Sequence, residues 1–335
     1  MFGLSGCATL GWSGQAARGQ LDILSKREDI AQLLTDPATD PALVRRLESA
    51  LEIRAFAVAE LGLPDSRSYT RYADLGRDAA VWNVVATPRF DMRPKTWCYP
   101  LVGCLAYRGF FDPDRAYALA RDLAAQGYDA AVFPVTAYST LGWFADPVLN
   151  TMLGRDDAGL AALIFHELAH EKLFVRGDTE FSEGYAVAVE RVGVERWLQA
   201  RGDEAALARW HGDQDRQARF TGLLLDAREA LIKAYAADDS AEFMEAEREQ
   251  VFAELRAAVS ALDEDSGEQR YRRWAERDLN NAHLALVATY EAAVAGFLRL
   301  LDDCGGDIDC FHDRVAAMAR KDAATRRKVL RDTAQ

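Results

Sequence analysis

The chain has 335 residues, half of them hydrophobic, enough for a substantial core in one large domain or two ordinary ones. Its formal net charge of −13 argues against a nucleic-acid binder, which presents a basic face. No apolar run reaches the roughly eighteen residues that a membrane-spanning helix needs.

In chain order, Leu4-Ser5-Gly6-Cys7 comes first. It looks like a lipobox, the cleavage site of bacterial lipoprotein precursors, with Cys7 as the lipidated residue. A secretion signal has a basic start and about 7–15 apolar residues ahead of such a box. The segment before Cys7 is shorter than that, so either the signal lies upstream or the match is fortuitous. Residues 8–18 are small and Gly-rich, which suits a tether, so 1–18 is taken as lipobox remnant and tether. The remainder, 19–335, is taken as a single domain: helices plus a small sheet over 19–155, site helices over 156–200, and a helical part over 201–335.

From Gln20 to about Leu61 the spacing predicts helices, the second opened by Asp40 as cap and Pro41 in the first turn. The stretches 79–88, 96–111 and 128–137 are rich in β-branched and aromatic residues and predict strands. Between them 112–127 predicts one helix, capped by Asp112 and stopped by Gly127. From Asp156 onward nearly everything is helical in pattern: a helix to about Phe174, a break at 175–179, and a helix from about Ser182 to Gln199. Phe220, Leu224, Leu231 and Tyr235 then share one face, and Met244, Val251, Leu255, Val259 and Leu262 another, which predicts a long helical hairpin. A turn at 263–269, one helix over 271–301 and a last one over 308–330 complete the chain. The fold class predicted is mainly helical α+β.

Four of the five cysteines form close pairs, Cys98 with Cys104 and Cys304 with Cys310, each with five residues between. That spacing suits a small disulfide loop somewhat better than a zinc pair, which has about two to four. Free buried thiols are the bland alternative.

The chemistry centres on 160-LAALIFHELAHEKLF-174. In a helix, residues four apart lie one turn above each other, so His166 and His170 project from one face and can grip one metal ion. Glu167 beside them can take the proton of a water activated by that metal. A catalytic zinc keeps one position open for water and takes a third protein ligand. Glu183 in 181-FSEGYAVAVE-190 is the choice, with Glu180 as competitor. Glu190, two turns further on, is placed to orient a ligand histidine. Tyr138 and Tyr185 are candidates to donate to an oxyanion, against the bland reading of core packing. The segment 137–147, after the third strand stretch, offers an edge on which a peptide substrate could add as a strand. Asn280 and Asn281 fall where helix propensity disfavours them. His211, His283 and His312 have no partners by spacing and are read as structural.

The sequence "HELAH…SEGYA" is similar to the gluzincin metallopeptidases, which follow His-Glu-x-x-His with a glutamate in an Asn-Glu-x-x-Ala-like segment. Here that segment is Ser182, Glu183, Gly184, Tyr185, Ala186, with serine in place of asparagine. More closely, the chain resembles a bacterial family of predicted aminopeptidases, zinc-dependent envelope lipoproteins, over "SGCATLGW…GQLDIL", "CYPLVGCLAYRGFF", "AYSTLGWFADPVLNTML", "FHELAHEKLFVRGDTEFSEGYA" and "NNAHLALVATY". The resemblance implies a zincin-type fold, Zn2+ held by His166, His170 and Glu183, Glu167 as general base, and peptide substrates. It departs in lacking the Gly-x-Met-Glu-Asn segment that holds the substrate amine in the membrane-alanyl type; Glu180 is the substitute on offer. The expected activity is aminopeptidase. The rivals are an envelope endopeptidase or amidase, and a non-catalytic helical lipoprotein with a structural or vestigial metal site. The expected location is the envelope, facing the periplasm, if an upstream signal exists, and the cytoplasm otherwise. No protein partner is inferable.

Overall fold

The structure, a computed structural model, describes residues 5–99, 103–140, 142–237, 240–263, 269–287 and 291–334. In chain order the elements are α1 (Ser5–Ser25), β1 (Arg27–Asp29), α2 (Ile30–Thr35), α3 (Pro41–Glu60), β2 (Arg71–Ala73), β3 (Val81–Pro88), β4 (Trp97–Tyr99), β5 (Gly103–Leu105), β6 (Arg108–Phe110), α4 (Pro113–Ala125), β7 (Tyr128–Val135) and β8 (Val148–Leu149). A 3-10 turn (Asn150–Met152) leads into α5 (Asp157–Lys172), α6 (Thr179–Ala200), α7 (Glu204–Tyr235), α8 (Ala241–Ala261), α9 (Arg270–Ala275), α10 (Asn281–Leu284), α11 (Glu291–Asp302), α12 (Ile308–Ala319) and α13 (Ala323–Ala334). This is the mainly helical α+β class, with three small sheets.

The chain divides into two compact units interleaved in sequence. The first comprises Met1–Val81, Val135–Ala208 and Thr289–Gln335. Its core is helical: α5 lies against α6 and α3, while α11 lies against α6 and α13. Ile164, Phe165 and Leu168 of α5 are fully buried, with Phe181, Tyr185 and Val189 of α6 and Phe297 of α11 almost as deep. A three-stranded sheet flanks these helices, with β2 central, β1 antiparallel to it and β8 parallel. The second unit comprises Trp82–Pro134 and Arg209–Ala288. It holds the sheet β6-β3-β7 and the hairpin of α7 and α8. Leu224 and Leu231 of α7 share one apolar cluster with Leu255 and Val259 of α8, on the faces that spacing had marked. Its polar core is the buried Asp129, which accepts from Arg248 at 2.7 Å and from the Asn281 backbone at 3.0 Å.

Several boundaries follow local chemistry. Asp40 accepts from the Ala42 and Leu43 amides, and Asp112 from Asp114, so both predicted caps hold. Cys98 faces Cys104 across β4 and β5, and both close pairs, Cys98–Cys104 and Cys304–Cys310, are disulfide-bonded.

Other expectations are corrected. Residues 8–18 lie within helix α1, where the alanines, glutamine and arginine of "ATLGWSGQAAR" outweigh its glycines. The side chain of Cys7 is outside the described residues, as is most of the turn at 263–269. The helical pattern over 21–34 is interrupted by β1, which pairs with β2 through long-range contacts that local spacing does not reveal. The single helix expected over 271–301 is three. Asn280 caps α10, accepting from Ala282, while the Asn281 amide donates to Asp129 and its side chain donates to the Arg89 carbonyl at 2.9 Å. These asparagines anchor a chain break. The last helix likewise divides at 320–322. Among the described residues of 136–147, all but Leu141, none is in a strand, so that part of the segment offers no strand edge.

Candidate metal centre

Asp156 starts α5 by accepting from the Gly159 amide at 2.8 Å, with Asp157 in the first turn complementing the helix dipole. The helix is buried on most of its circumference, so His166 and His170 project from a rigid element. Residues 173–178 turn the chain, Gly177 taking the left-handed φ of +80° that the turn requires. Asp178 then caps α6 through the Phe181 amide and is held by Arg326 at 2.6 Å. Ser182, where the spacing started this helix, is instead fully buried four residues on. Its hydroxyl accepts from Val175 N at 3.0 Å and donates to Asp178 O at 3.0 Å, which locks the turn. The two helices approach closely at Gly193, where a Cβ would lie 2.7 Å from Phe165 Cδ2.

This packing brings three ligand atoms to one point. His166 Nε2 and His170 Nε2 are 3.2 Å apart. Glu183 Oε2 is 3.4 Å from the first, and Glu183 Oε1 is 3.4 Å from the second. The rings stand nearly perpendicular, at 85°. Bonds of about 2.0–2.2 Å around a tetrahedral ion place neighbouring ligand atoms about 3.3 Å apart, so the residues fit a metal ion of that kind. His166, His170 and Glu183 form a group that could hold a metal ion.

The electrostatics agree with the geometry. Burial alone would lower the His166 pKa, but hydrogen bonds to Glu183 and Glu190 overcome it and lift it to about 10. Burial likewise opposes ionisation of Glu183, yet its hydrogen bonds to His166 and His170 hold it down to about 2. The cluster thus carries an excess of negative charge that a shared positive charge satisfies. Glu190 Oε2 lies 3.1 Å from His166 Nδ1. It holds the proton on Nδ1, so a metal ion at the shared point would take the place of the Nε2 proton. His170 Nδ1, by contrast, is buried without a hydrogen-bond partner among the described residues.

A family model described as "Putative aminopeptidase" matches residues 11–330. The chain belongs to that family. No curated protein and no solved structure matches it.

In this member of the family, Glu167 is buried beside the His166, His170 and Glu183 group rather than within it. Burial raises its pKa, with the two histidines opposing. Ser139 is hydrogen-bonded to Glu167 and lies 3.2 Å from Asp146 Oδ2, between the two carboxylates. Glu180 sits in the first turn of α6 and is not in the ligand group. Tyr185 points elsewhere. His312 Nε2 lies 2.9 Å from the Leu61 carbonyl, which can only accept, so that nitrogen carries the proton. His312 Nδ1 is then an acceptor, and the Tyr185 hydroxyl, 2.9 Å away, donates to it. The proton proposed for an oxyanion is therefore committed inside the core. Tyr138 is half-buried in the loop, next to Ser139.

Sequence reasoning missed Ser139, Asp146 and Tyr69. Tyr69 is buried with a left-handed φ of +62°, and its amide donates to Asp146 O at 2.7 Å. Burial raises its phenol pKa first, and the charges of Glu167, Asp146 and Glu171 add to that. Ser139 and Asp146 fall within a stretch quoted for its resemblance, but nothing there or at Tyr69 assigned them a role. The signal is the Asp146 side chain folding back on its own loop, which spacing alone does not disclose.

Proposed function

We propose that this chain is a zinc-dependent peptide-bond hydrolase acting at the amino end of its substrate, with zinc held by His166, His170 and Glu183. The observation that carries the reading is the convergence of two imidazole nitrogens and one carboxylate within 3.2–3.4 Å, beside a second buried carboxylate outside the ligand set. Bound there, zinc would lower the pKa of a water toward neutrality and polarise a carbonyl. Glu167 takes the proton of the attacking water at its carboxylate and delivers it to the leaving amine nitrogen. Its raised pKa brings it closer to the working pH of a general base. Glu190 orients His166, and no residue forms a covalent bond to substrate. The amino-end specificity rests on the family name, with Glu180 as the carboxylate offered to the substrate amine. The two disulfides and the lipobox-like Leu4-Ser5-Gly6-Cys7 support an envelope location with lipid on Cys7.

The test is metal content by elemental mass spectrometry, together with hydrolysis of peptides carrying free or acetylated amino ends. Wild type and Glu167→Gln should each carry about one zinc per chain, and Glu183→Ala should lose most of it. Glu167→Gln should lose activity by about 10²–10⁴-fold while keeping its metal. Cleavage of acetylated peptides as fast as free ones would make the enzyme an endopeptidase or amidase. A folded wild type that takes up no zinc refutes the reading.

A further inference from the structure

The loop that holds Glu167 also carries the most exposed aromatic residues described in the chain. Trp143 is 78% exposed and Phe144 50%. Of the four exposed Phe and Trp residues among the described ones, a third, Phe174 at 46%, packs its ring edge-on to ligand His170 at 5.9 Å. Large aromatic side chains left in water are costly, and when clustered they mark a binding surface.

The loop is built to hold them out. Asp146, 3% exposed, accepts from Thr140 N and Thr140 Oγ1, each at 2.7 Å, and from Ser139 Oγ at 3.2 Å. The Phe144 amide donates to Thr140 Oγ1 at 3.2 Å, and Arg27 donates to the Phe144 carbonyl at 2.8 Å. Asp146 N donates to Ser68 Oγ at 3.0 Å. Ala145 takes a left-handed φ of +51°, a conformation that only a well-fixed backbone imposes on alanine. Two aromatic side chains flanked by these hydrogen bonds need little ordering when a ligand arrives.

The position of the loop says what would cover it. Ser139 at one end is bonded to Glu167. Gly142 lies against Glu171, one helical turn beyond Glu167; a Cβ there would be 3.0 Å from Glu171 Cδ. Trp143 and Phe144 thus follow directly on a backbone segment that lies against α5 one turn from Glu167, and Phe174 borders His170.

We propose that Trp143 and Phe144 form an apolar platform that receives an apolar or aromatic side chain of the peptide, next to the bond being cleaved. This rests on the peptidase reading and names its substrate class.

The test pairs hydrolysis with binding. Peptides with free amino ends, bearing Phe, Leu or Ser at the terminal or the following position, are given to the zinc-loaded wild type and to Trp143→Ala/Phe144→Ala. Their binding to zinc-loaded Glu167→Gln, with and without the same two substitutions, is titrated in parallel. The wild type should favour Phe or Leu over Ser by about tenfold or more in kcat/KM, mainly through KM. The double variant should lose most of that preference, falling about tenfold on Phe and Leu peptides and less than about threefold on Ser peptides. Binding to Glu167→Gln should show the same pattern. An apolar binding preference that needs both aromatics, without hydrolysis of any peptide by the wild type, would refute the peptidase reading and leave the platform standing. Hydrolysis with no apolar preference, or an equal loss on every peptide, overturns the platform. So does unchanged peptide preference with lost binding to phosphatidylglycerol–phosphatidylethanolamine vesicles, which would give the aromatics to a lipid surface.

Discussion

Glu190 touches no ligand position itself, yet its replacement should weaken metal binding by a definable amount. Its Oε2 meets His166 Nδ1 at 3.1 Å, and the pair is mostly buried. A hydrogen bond to a charged partner contributes about 1.5–3 kcal/mol. Glu190 remains partly open to solvent, so the lower half of that range applies. An energy of about 1.5–2 kcal/mol corresponds to a factor of about 10–30 in affinity. Among the described residues no second carboxylate shares the load, because His170 Nδ1 has no partner there. Glu190→Ala should therefore raise the zinc Kd about 10–30-fold, measured by competition with a chelator of known affinity. Glu190→Gln keeps an acceptor for Nδ1 and should lose less. Glu190→Ala with wild-type affinity, in a folded protein, would refute the claim that this carboxylate sets the tautomer and direction of His166.

Tyr185→Phe removes the donor to His312 Nδ1 and leaves a buried acceptor unpaired. It should cost about 1–3 kcal/mol of stability by urea titration, with zinc binding retained. Burial holds His312 near pKa 4, well below its usual 6.5. Below pH 6.5 the unfolded chain takes up a proton that the folded chain refuses until about pH 4. Stability should therefore fall by up to about 3 kcal/mol across that window, and His312→Gln should flatten this part of the profile. Gly193→Ala puts a methyl 2.7 Å from both Phe165 and Leu61. It should force α5 and α6 apart, lowering stability by about 1–3 kcal/mol and weakening zinc binding with it; a variant with wild-type melting and metal content would contradict that packing.

The convergence of His166, His170 and Glu183 was legible because its logic is local. His166, Glu167 and His170 fall within one helical turn, and Glu183 and Glu190 repeat along the next helix, so helix periodicity alone puts them in register once the two helices pack. The hairpin of α7 and α8 was legible for the same reason, since Leu224, Leu231, Leu255 and Val259 recur at helical spacing. What could not be read depends on contacts between distant residues. The sheet of β1, β2 and β8 uses strands of two or three residues, too short for alternation to register, and its pairings join positions about 45 to 75 residues apart. The break at Asn280 exists because Asp129, on a distant strand, accepts the Asn281 amide. Tyr185 looked suitable for a site because it follows Glu183 so closely. Its direction was decided by His312, more than a hundred residues away.

In the proposed reading, the group that would hold a metal and the carboxylate that would act as base are supported by different parts of the fold. His166, His170, Glu183 and Glu190 all lie on α5 and α6, whose relative position is set by a buried apolar interface. Glu167 shares α5, but its carboxylate meets Ser139, which lies outside the helix pair on a loop organised around Asp146. Losing Ser139 should then leave the ligand atoms where they are and free the base to turn. Ser139→Ala should keep about one zinc per chain while kcat falls about tenfold, the ordinary consequence of a loosened general base, with KM little changed. Ser139→Thr, which keeps a hydroxyl, should recover part of the loss. Zinc lost in parallel with activity would mean instead that the loop supports the metal ligands, and the division between helices and loop would be wrong.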